Sequence, residues 1–587
     1  MGISLLPGKV KDALREATVW LLLLGTLVGC TAPVAQADPM TSTAPPPPSA
    51  TPTVTSTPTV TPTATPTPTS IPTIVIPMLT RVITPTPTYA PPALWNLPER
   101  VVPEPFGVEI HFTRTTKQEL DHIAHTGVKW VRMDMFWHTV ERELGTYDFS
   151  EYDALVASME ARDISIVFIL DYGNPLYDQG FPPTSPGGQV AFARFAATAA
   201  RRYRDRGIMW EIWNEPNLDH FWTPQANAED YARLALRTAL AIRQADPAAF
   251  VVAPALAGYE WAFWNTVGSM GLFNRLDAIT VHSYGVHEPE SILQPYLTLR
   301  ALINRYSPAW KIPVLSGEWG FSTTQGGMSE GQQAQYLTRQ WLFNLAHDIN
   351  LNIWYDWHDD GADPHDPEHH FGIVRHDYTA KSSYRAARTL LTTLDGYRFL
   401  RRIPLERSSD YLLLFQREAQ VAMALWTTSE AHTLILPLSV DDVAVVDMEG
   451  GVGTVASEGE GLAIGISRSP RYLLFRADQT GAAQLGGWRP YDTIQCFQQG
   501  KEAGVHIVFE SYAAGPVFGA LEVRAQGEAR GTTPIVVPPM AEQHVRIPLD
   551  IEGLNGSVPA EVRLLPEGGA PALPLQSALI WLQVRGE

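Results

Sequence analysis

The sequence predicts a (β/α)8 barrel followed by one or two small β-sandwich domains. Three observations predict this arrangement. Strand-like apolar runs alternate with amphipathic helical patterns from residue 106 to residue 394, short β-type runs replace the helical patterns afterwards, and residues 31–95 before the barrel are dominated by threonine and proline. The 587 residues exceed the size of a single hydrophobic core, so several domains are expected.

Residues 1–30 have the pattern of a secretory signal peptide. Basic residues at Lys9, Lys11 and Arg15 precede an apolar run over residues 17–28, which is short for a membrane span. The run ends in Leu-Val-Gly-Cys, and this end resembles a bacterial lipobox. The resemblance implies that Cys30 is acylated and that the protein is extracytoplasmic, attached to the membrane or cell surface by a lipid anchor. An uncleaved anchor, or an ordinary signal with a chance cysteine, is the alternative.

Residues 31–95 are predicted to form a linker. Their Thr-Pro repeats cannot bury enough apolar surface to fold, so we expect a disordered, extended spacer between the membrane and the next domain.

Charge and cysteine content exclude several classes of function. The net charge of −19 disfavours nucleic acid as a partner, because phosphate binding needs clustered lysine and arginine. Cys30 and Cys496 are the only two cysteines in the sequence, which excludes a disulfide framework and a cysteine zinc site. The sequence does not determine the oligomeric state.

Residues 96–395 contain the eight predicted barrel strands. The first is Phe106–His111, and a nearly continuous apolar run over Ile164–Leu170 is typical of a strand buried on both faces. Helices are predicted after Ser150 and Asn227, which have cap-type side chains. The other strands are predicted at 128–132, 209–213, 250–253, 278–281, 313–316 and 352–355. A doubly wound open sheet is the competing architecture, but no glycine-rich phosphate loop follows the first strand, so we favour the barrel.

Two glutamates follow the predicted fourth and seventh strands. Glu215 lies in Trp-Asn-Glu-Pro and Glu318 in Ser-Gly-Glu-Trp-Gly, 103 positions apart. Three units of a barrel should span roughly 94 residues, which agrees with strands four and seven. Because the carboxyl ends of barrel strands share one face, the two carboxyl groups can face each other across a substrate. Glycosidic cleavage needs such a pair, in which one carboxyl group protonates the leaving oxygen and the other attacks the anomeric carbon.

With Asn214-Glu215-Pro216 after strand four and Glu318 after strand seven, the sequence resembles the clan A glycoside hydrolases, which are retaining (β/α)8 enzymes. The resemblance covers about half of the chain, from residue 106 to residue 394. It implies that Glu215 is the acid/base, that Glu318 is the nucleophile, and that Asn214 binds the sugar 2-hydroxyl. The implied reaction is hydrolysis of O-glycosidic, expected to be β, bonds in plant or microbial oligo- or polysaccharides by double displacement, without a cofactor.

The same resemblance suggests further site residues. Arg132 would keep the nucleophile ionised, and Tyr284, two positions after His282, would donate a hydrogen bond to it. Residues at other strand ends are expected to line the sugar subsite: His111, Trp137, Tyr172, Asn174, Trp354 and Trp357. Either Trp354 or Trp357 is expected to be the platform under the sugar ring.

The segment 358–370 is rich in histidine, aspartate and glutamate. It matches no recognised metal-ligand spacing, so we expect no metal site and interpret the segment as a polar wall of the sugar cleft.

The pattern W-x3-E-x3-G-x-Y-x-F over Trp137–Phe149 occurs in several clan families, of which family 39 and family 5 are the leading candidates. Family 39 would imply exo action of the β-xylosidase type, and family 5 an endo-β-glucanase or β-mannanase.

Residues 396–480 are predicted to form an accessory β-sandwich, and residues 485–587 a second one. The second sandwich is either a carbohydrate-binding module or a structural domain. Two functional alternatives stay open beside the enzyme: a catalytically inactive, carbohydrate-binding surface lipoprotein, and a cell-envelope scaffold whose barrel lacks an aromatic cleft.

Overall fold

The computed structural model describes residues 97–586 apart from 309–310, 458, 460, 477–486, 511–515, 540 and 567–574. The predicted signal peptide, Cys30 and the Thr/Pro-rich linker lie outside these residues. Among the helices that are described, none combines the length and the apolar character needed to cross a membrane.

Eight parallel strands close into a barrel in chain order, which confirms the predicted fold class. The strands are β1 Phe106–Glu109, β2 Trp130–Phe136, β3 Ser165–Asp171, β4 Met209–Ile212, β5 Phe250–Ala257, β6 Ala278–His282, β7 Val314–Trp319 and β8 Ile349–Trp354. The α-helices described around them are α1 Lys117–Thr126, α2 Trp137–Val140, α3 Ser150–Glu160, α4 Pro186–Arg202, α5 Ala228–Ala245, α6 Trp261–Ser269, α7 Leu293–Tyr306, α8 Glu330–Leu345 and α9 Ser382–Thr393.

Strand β3 shows why the barrel strands appear in the sequence as continuous apolar runs. Ile166, Phe168 and Leu170 pack in the large core between barrel and helices. Val167 points the other way, into a separate cluster inside the barrel. Successive side chains on a strand face opposite sides, and both sides are buried here, so no polar alternation remains in the sequence.

The structure confirms the predicted cap at Asn227 but not the one at Ser150. Asn227 caps α5, since its side chain accepts hydrogen bonds from the backbone N–H groups of Glu229 and Asp230. Ser150 is instead the first residue of α3, and its N–H donates to Oδ1 of Asp148 at 2.9 Å. Phe149 is the N-cap and has no capping side chain, so the Asp148 carboxylate accepts from the N–H of the first helical residue instead.

β-Sheets follow the barrel, as predicted, and among the described strands their pairings are antiparallel except for one parallel pair, Ile494–Gln498 with Ser577–Arg585. A six-stranded sheet has the order β14-β13-β16-β11-β10-β9, beside the pair β12-β15. Its strands are β9 Arg398–Ile403, β10 Asp410–Arg417, β11 Gln420–Thr427, β12 His432–Leu436, β13 Val443–Val446, β14 Val452–Val455, β15 Leu462–Ile466 and β16 Arg471–Phe475. A three-stranded sheet with the order β17-β19-β22 and a five-stranded sheet with the order β18-β24-β23-β20-β21 come next. These strands are β17 Trp488–Pro490, β18 Ile494–Gln498, β19 Ala503–Glu510, β20 Val517–Ala525, β21 Glu528–Val537, β22 Glu542–Leu549, β23 Gly556–Pro566 and β24 Ser577–Arg585.

Asp348, just before β8, connects the barrel to the last sheets. Its carboxylate accepts hydrogen bonds from Arg100 at 2.9 Å, from Lys311 at 2.8 Å, and from the backbone N–H groups of Thr493 and Ile494. Burial opposes ionisation of Asp348, but Lys311, Arg100 and these hydrogen bonds outweigh it and lower its pKa. A charged aspartate therefore joins the two parts of the chain.

Candidate active site

The two glutamates lie at the carboxyl ends of β4 and β7. Glu215 follows β4 by three residues, whereas Glu318 is inside β7, one residue before its end, and not after it as the sequence suggested. Each glutamate is 7% exposed. Glu215 has a positive φ of 43°, and Pro216 after it disfavours the right-handed helical conformation. The chain therefore leaves β4 in a sharp turn that points Glu215 over the barrel.

Arg132 on β2 is fully buried at the centre of the site. Its Nη1 donates to Glu318 Oε2 at 2.9 Å and to both carboxylate oxygens of Glu109 at 2.7 Å. Its Nη2 donates to Glu211 Oε1 at 2.6 Å and to Asn214 Oδ1 at 2.7 Å. One guanidinium thus neutralises part of the charge of three carboxylates and orients the asparagine beside Glu215.

Both oxygens of Glu318 have a donor. Tyr284 O–H donates to Oε1 at 2.6 Å, and Arg132 donates to Oε2. Burial raises the pKa of Glu318, while Arg132 and the Tyr284 hydrogen bond act in the opposite direction and limit the rise. These two donors favour the ionised form, which is the form that a nucleophile requires.

Glu215 has a different environment. Burial and the neighbouring Glu318 raise the pKa of Glu215 well above its ordinary value. His282 Nδ1 lies 2.8 Å from Glu215 Oε1, and its Nε2 lies 3.3 Å from Arg132 Nη2. Because Arg132 can only donate, Nε2 accepts and the proton of a neutral His282 is on Nδ1. Burial and Arg132 lower the pKa of His282 well below its usual range, which agrees with a neutral ring that donates to Glu215.

The two carboxyl groups face each other. One carboxylate oxygen from each of Glu215 and Glu318, together with a ring nitrogen of His282, lie within 4.8 Å of one another. Burial raises the pKa of both carboxyl groups, but at Glu318 the two donors Arg132 and Tyr284 oppose the rise, whereas at Glu215 the charge of Glu318 adds to it. Such a pair can supply an acid and a nucleophile to the same bond.

Tyr172 and His111 lie around this pair. Tyr172 accepts a hydrogen bond from Asn214 Nδ2 at 3.1 Å and stacks on Phe221 with ring centroids 5.7 Å apart. The side chain of His111 is 31% exposed, and its Nδ1 lies 3.3 Å from Asp360 Oδ1. Burial lowers the pKa of His111, but nearby carboxylates, Asp360 foremost, outweigh burial and raise it well above the ordinary value.

Trp137 and Asn174 do not line the cleft, which corrects the expectation from the sequence. Trp137 is fully buried, stacks on Tyr177 at 4.9 Å, and donates from Nε1 to Glu141 at 2.7 Å. Asn174 is 1% exposed, and its Nδ2 donates to the backbone oxygen of Glu141 at 2.8 Å. Both residues hold the loops after β2 and β3 together, so neither has a surface for a sugar.

Trp354 and Trp357 are also in the core. Trp354 is fully buried with Nε1 3.4 Å from the backbone oxygen of Phe371. Trp357 is 1% exposed and donates to Glu119 on α1 at 3.2 Å. A sugar platform needs an accessible ring face, and neither indole offers one in this structure.

The structure adds residues that the sequence analysis missed. Glu109 and Glu211 both bind Arg132, and burial followed by the charge of Glu318 raises the pKa of Glu109 to about 8 although Arg132 opposes the rise. Glu109 and Glu211 are acidic residues inside strands that were predicted to be buried, and a buried acidic residue was the sequence signal that could have identified them as part of the site. Tyr355 donates to Glu368 at 3.1 Å, a contact between the end of β8 and the acidic segment that no local pattern indicates.

The segment 358–370 is largely paired with neighbouring residues. Asp359 accepts from Lys381 Nζ at 2.6 Å, and His370 Nε2 lies 2.8 Å from the backbone oxygen of Asp363. Asp360 and Glu368 face the site, beside His111 and Tyr355.

Comparisons with known proteins give matches over the barrel. Residues 99–361 match the family model described as cellulase, glycosyl hydrolase family 5. A beta-xylosidase from Geobacillus stearothermophilus is 31% identical over 171 residues, which are 26% of this chain and 30% of that protein. The chain therefore matches less than a third of the length of this curated relative.

Two solved structures share the fold. A family 39 glycoside hydrolase from Bacteroides cellulosilyticus has 23% identity and a TM-score of 0.57, over 64% of this chain and 82% of that one. A family 39 β-xylosidase from Caulobacter crescentus has 18% identity and a TM-score of 0.50, over 63% of this chain and 96% of that one. The family match spans both glutamates and nearly the whole eight-stranded barrel. Residues 99–361, the part of the chain that holds all eight barrel strands, therefore match a glycoside hydrolase family model.

Proposed function

We propose that this protein is a retaining glycoside hydrolase that cleaves β-linked O-glycosidic bonds, with Glu215 as acid/base and Glu318 as nucleophile. The observation that carries the proposal is the approach of their carboxylate oxygens to within 4.8 Å. Retaining enzymes hold the two carboxyl groups about 5–5.5 Å apart, whereas inverting enzymes need about 6.5–9.5 Å to admit a water molecule. The observed approach supports the retaining geometry.

In the first step, protonated Glu215 gives its proton to the leaving oxygen while Glu318 attacks the anomeric carbon. The bond from that carbon to the leaving oxygen breaks, and an ester bond to Glu318 forms. Because the charge of Glu318 helps to raise the pKa of Glu215, forming the ester lowers that pKa. Glu215 then acts as a base, takes a proton from water, and the resulting attack releases the sugar and restores the Glu318 carboxylate.

Arg132, Tyr284 and Asn214 have supporting roles in this mechanism. Arg132 and Tyr284 keep Glu318 ionised through one hydrogen bond to each oxygen. Asn214 is held at its Oδ1 by Arg132 and at its Nδ2 by Tyr172. This fixed orientation suits a residue that meets the sugar 2-hydroxyl next to the reacting carbon.

The charges around the site support a neutral sugar. Glu109, Glu211 and Glu318 already engage the single guanidinium of Arg132, so its donors are not free to bind the anionic group of a uronic acid or a sulfated sugar. The family model named cellulase and the relative named beta-xylosidase both favour neutral β-linked glucans or xylans as the first substrates to test.

We also propose, from the N-terminal sequence, that Cys30 is acylated and anchors the enzyme outside the cytoplasm. Loss of fatty-acid incorporation in Cys30→Ala tests that location.

The enzyme proposal is tested with the full-length protein on aryl β-xylosides, aryl β-glucosides, xylan, β-glucan and β-mannan. Glu318→Ala should lose turnover, and azide should restore it by forming a glycosyl azide of inverted configuration. Glu229→Ala is the matched control, because the side chain of Glu229 on α5 is 66% exposed and pairs with Arg233 at the surface. Equal activity of Glu318→Ala and wild type would contradict the proposal. Sugar binding without turnover by the wild type would favour the inactive carbohydrate-binding protein.

A further inference from the structure

We propose that His111, Asp356 and Asp360 form a binding site for a divalent cation at the rim of the cleft. The three residues come from two parts of the chain. His111 follows β1, while Asp356 and Asp360 follow β8, the strand that pairs with β1 when the barrel closes. Closure of the barrel therefore brings the imidazole to the two carboxylates.

The spacing of the three side chains suits a small cation. His111 Nδ1 lies 3.3 Å from Asp360 Oδ1 and 3.7 Å from Asp356 Oδ2, and one ligand atom from each residue lies within 4.8 Å of the other two. Bonds of about 2.0–2.2 Å from Zn²⁺ to nitrogen and oxygen, arranged tetrahedrally, place neighbouring ligand atoms roughly 3.4 Å apart. A cation can therefore reach all three ligands with little rearrangement.

Asp356 gives an independent indication of a missing partner. It is 2% exposed, and its Oδ1 has no hydrogen-bond partner among the described residues. Its Oδ2 lies 3.7 Å from Nδ1 of His111, which is too long for a hydrogen bond. Lys381 acts on the charge of Asp356 but donates its hydrogen bond to Asp359, at 2.6 Å. A buried carboxylate in this situation is expected to have a charged partner in direct contact. A cation that displaces the proton of His111 would supply that contact.

A second cluster with similar spacing does not have this property. Glu215, His282 and Glu318 also place ligand atoms within 4.8 Å of one another. However, Arg132 lies 2.9 Å from Glu318 and 3.3 Å from His282, so a positive charge already occupies that position. The cation is therefore assigned to the His111 cluster alone.

The ligand set indicates the class of cation. One imidazole nitrogen and two carboxylates suit Zn²⁺ or Mn²⁺ better than Ca²⁺ or Mg²⁺, which prefer shells made of oxygen. The side chains of His111 and Asp360 are 31% and 33% exposed, so part of the coordination shell faces solvent. Water would fill these positions and, if the proposed function holds, a sugar hydroxyl could replace it.

The test measures cation binding to the EDTA-treated full-length protein without any sugar. Titration calorimetry with ZnCl₂ and MnCl₂, and the electron paramagnetic resonance signal of Mn²⁺, should show one saturable site. His111→Gln and Asp360→Asn should each raise the dissociation constant for the cation at least tenfold. Asp363→Asn, an exposed aspartate of the same segment, is the matched control and should bind as the wild type does.

Two further measurements separate this site from the proposed catalytic pair. Glu318→Gln should keep the cation affinity of the wild type, because Glu318 is not one of the three ligands. Thermal melting of each variant checks that lost binding does not reflect lost folding. Absence of a saturable site in the wild type, or equal affinity in His111→Gln and Asp363→Asn, would overturn the inference. Neither result depends on whether the protein hydrolyses a glycoside.

Discussion

Nη1 of Arg132 lies 2.9 Å from Oε2 of Glu318, and the guanidinium is fully buried whereas Glu318 is 7% exposed. The same guanidinium also binds Glu109 and Glu211. A planar group with several N–H donors can serve three carboxylates at once, which a lysine ammonium cannot do with the same geometry. The charge balance of the whole site therefore depends on one side chain.

Arg132→Lys should reduce kcat and destabilise the fold. Because Arg132 lowers the pKa of Glu318, its loss should raise that pKa and move the acid limb of the pH–rate profile to higher pH. Buried carboxylates left without a full partner should cost about 3–5 kcal/mol in the free energy of unfolding. Rate profiles and urea unfolding measure these effects. Arg202→Lys, which changes a half-exposed pair with Asp153, is the control and should leave both properties nearly unchanged.

Tyr284→Phe should lower kcat by roughly 10- to 100-fold, which corresponds to a hydrogen bond to a charged group of about 1.5–3 kcal/mol. The Tyr284 hydrogen bond lowers the pKa of Glu318, so its removal should also shift the acid limb upward. A lower rate without any shift of that limb would show that Tyr284 acts only through packing.

Glu318→Gln should lower the pKa of Glu215. Burial and the charge of Glu318 both raise this pKa in the wild type, and the substitution removes the second cause only. Titration of ¹³C-labelled glutamate by NMR follows the carboxyl group directly. An unchanged pKa of Glu215 in Glu318→Gln would mean that the two carboxyl groups do not interact in solution.

Trp137→Phe should destabilise the protein by about 1–3 kcal/mol and leave KM unchanged. The substitution removes a buried donor to Glu141 and part of the stacking on Tyr177, while the cleft surface stays the same. Thermal melting and steady-state kinetics separate the two effects. A large rise in KM at unchanged stability would restore Trp137 to the sugar-binding site.

Asp348→Asn should destabilise the protein by about 3–5 kcal/mol at neutral pH, because Arg100 and Lys311 lose a buried partner. The folded-state pKa of Asp348 is lowered, so its contribution is present above the unfolded value of about 3.9 and is lost as pH falls through the folded value. The difference between wild type and Asp348→Asn should therefore shrink in acid. Urea unfolding at a series of pH values measures it, and a constant difference would contradict the charge-based explanation.

Much of the fold could be predicted because its signals are local. The apolar run over residues 164–170 and the cap at Asn227 each depend on a few neighbouring residues, and the structure has a strand and a helix there. Strand ends were less certain, as at β7, where Glu318 lies inside the strand. The end of a strand depends on its last hydrogen bonds to the neighbouring strands, and the local sequence pattern carries no information about those strands.

The misplaced aromatic residues have a related explanation. An indole at a strand end can face the cleft or the core, and the sequence around Trp137, Trp354 and Trp357 does not distinguish these orientations. The partners that decide it, Glu141 and Glu119 among them, are polar residues whose contacts form only after folding. Burial of all three tryptophans was therefore outside the reach of local patterns.

By itself, the sequence determined the alternation of strands and helices, the position of two glutamates at strand ends, and the β-rich character of the C-terminal third. Only the tertiary structure decided which groups surround those glutamates. Arg132 meets Glu109, Glu211 and Glu318 from strands far apart in the chain, and His111 meets Asp360 because β1 pairs with β8. The spacing of apolar residues along one strand indicates only which sides of that strand are buried. Charge, protonation and ligand geometry depend on distances between strands, and these exist only once the barrel has closed.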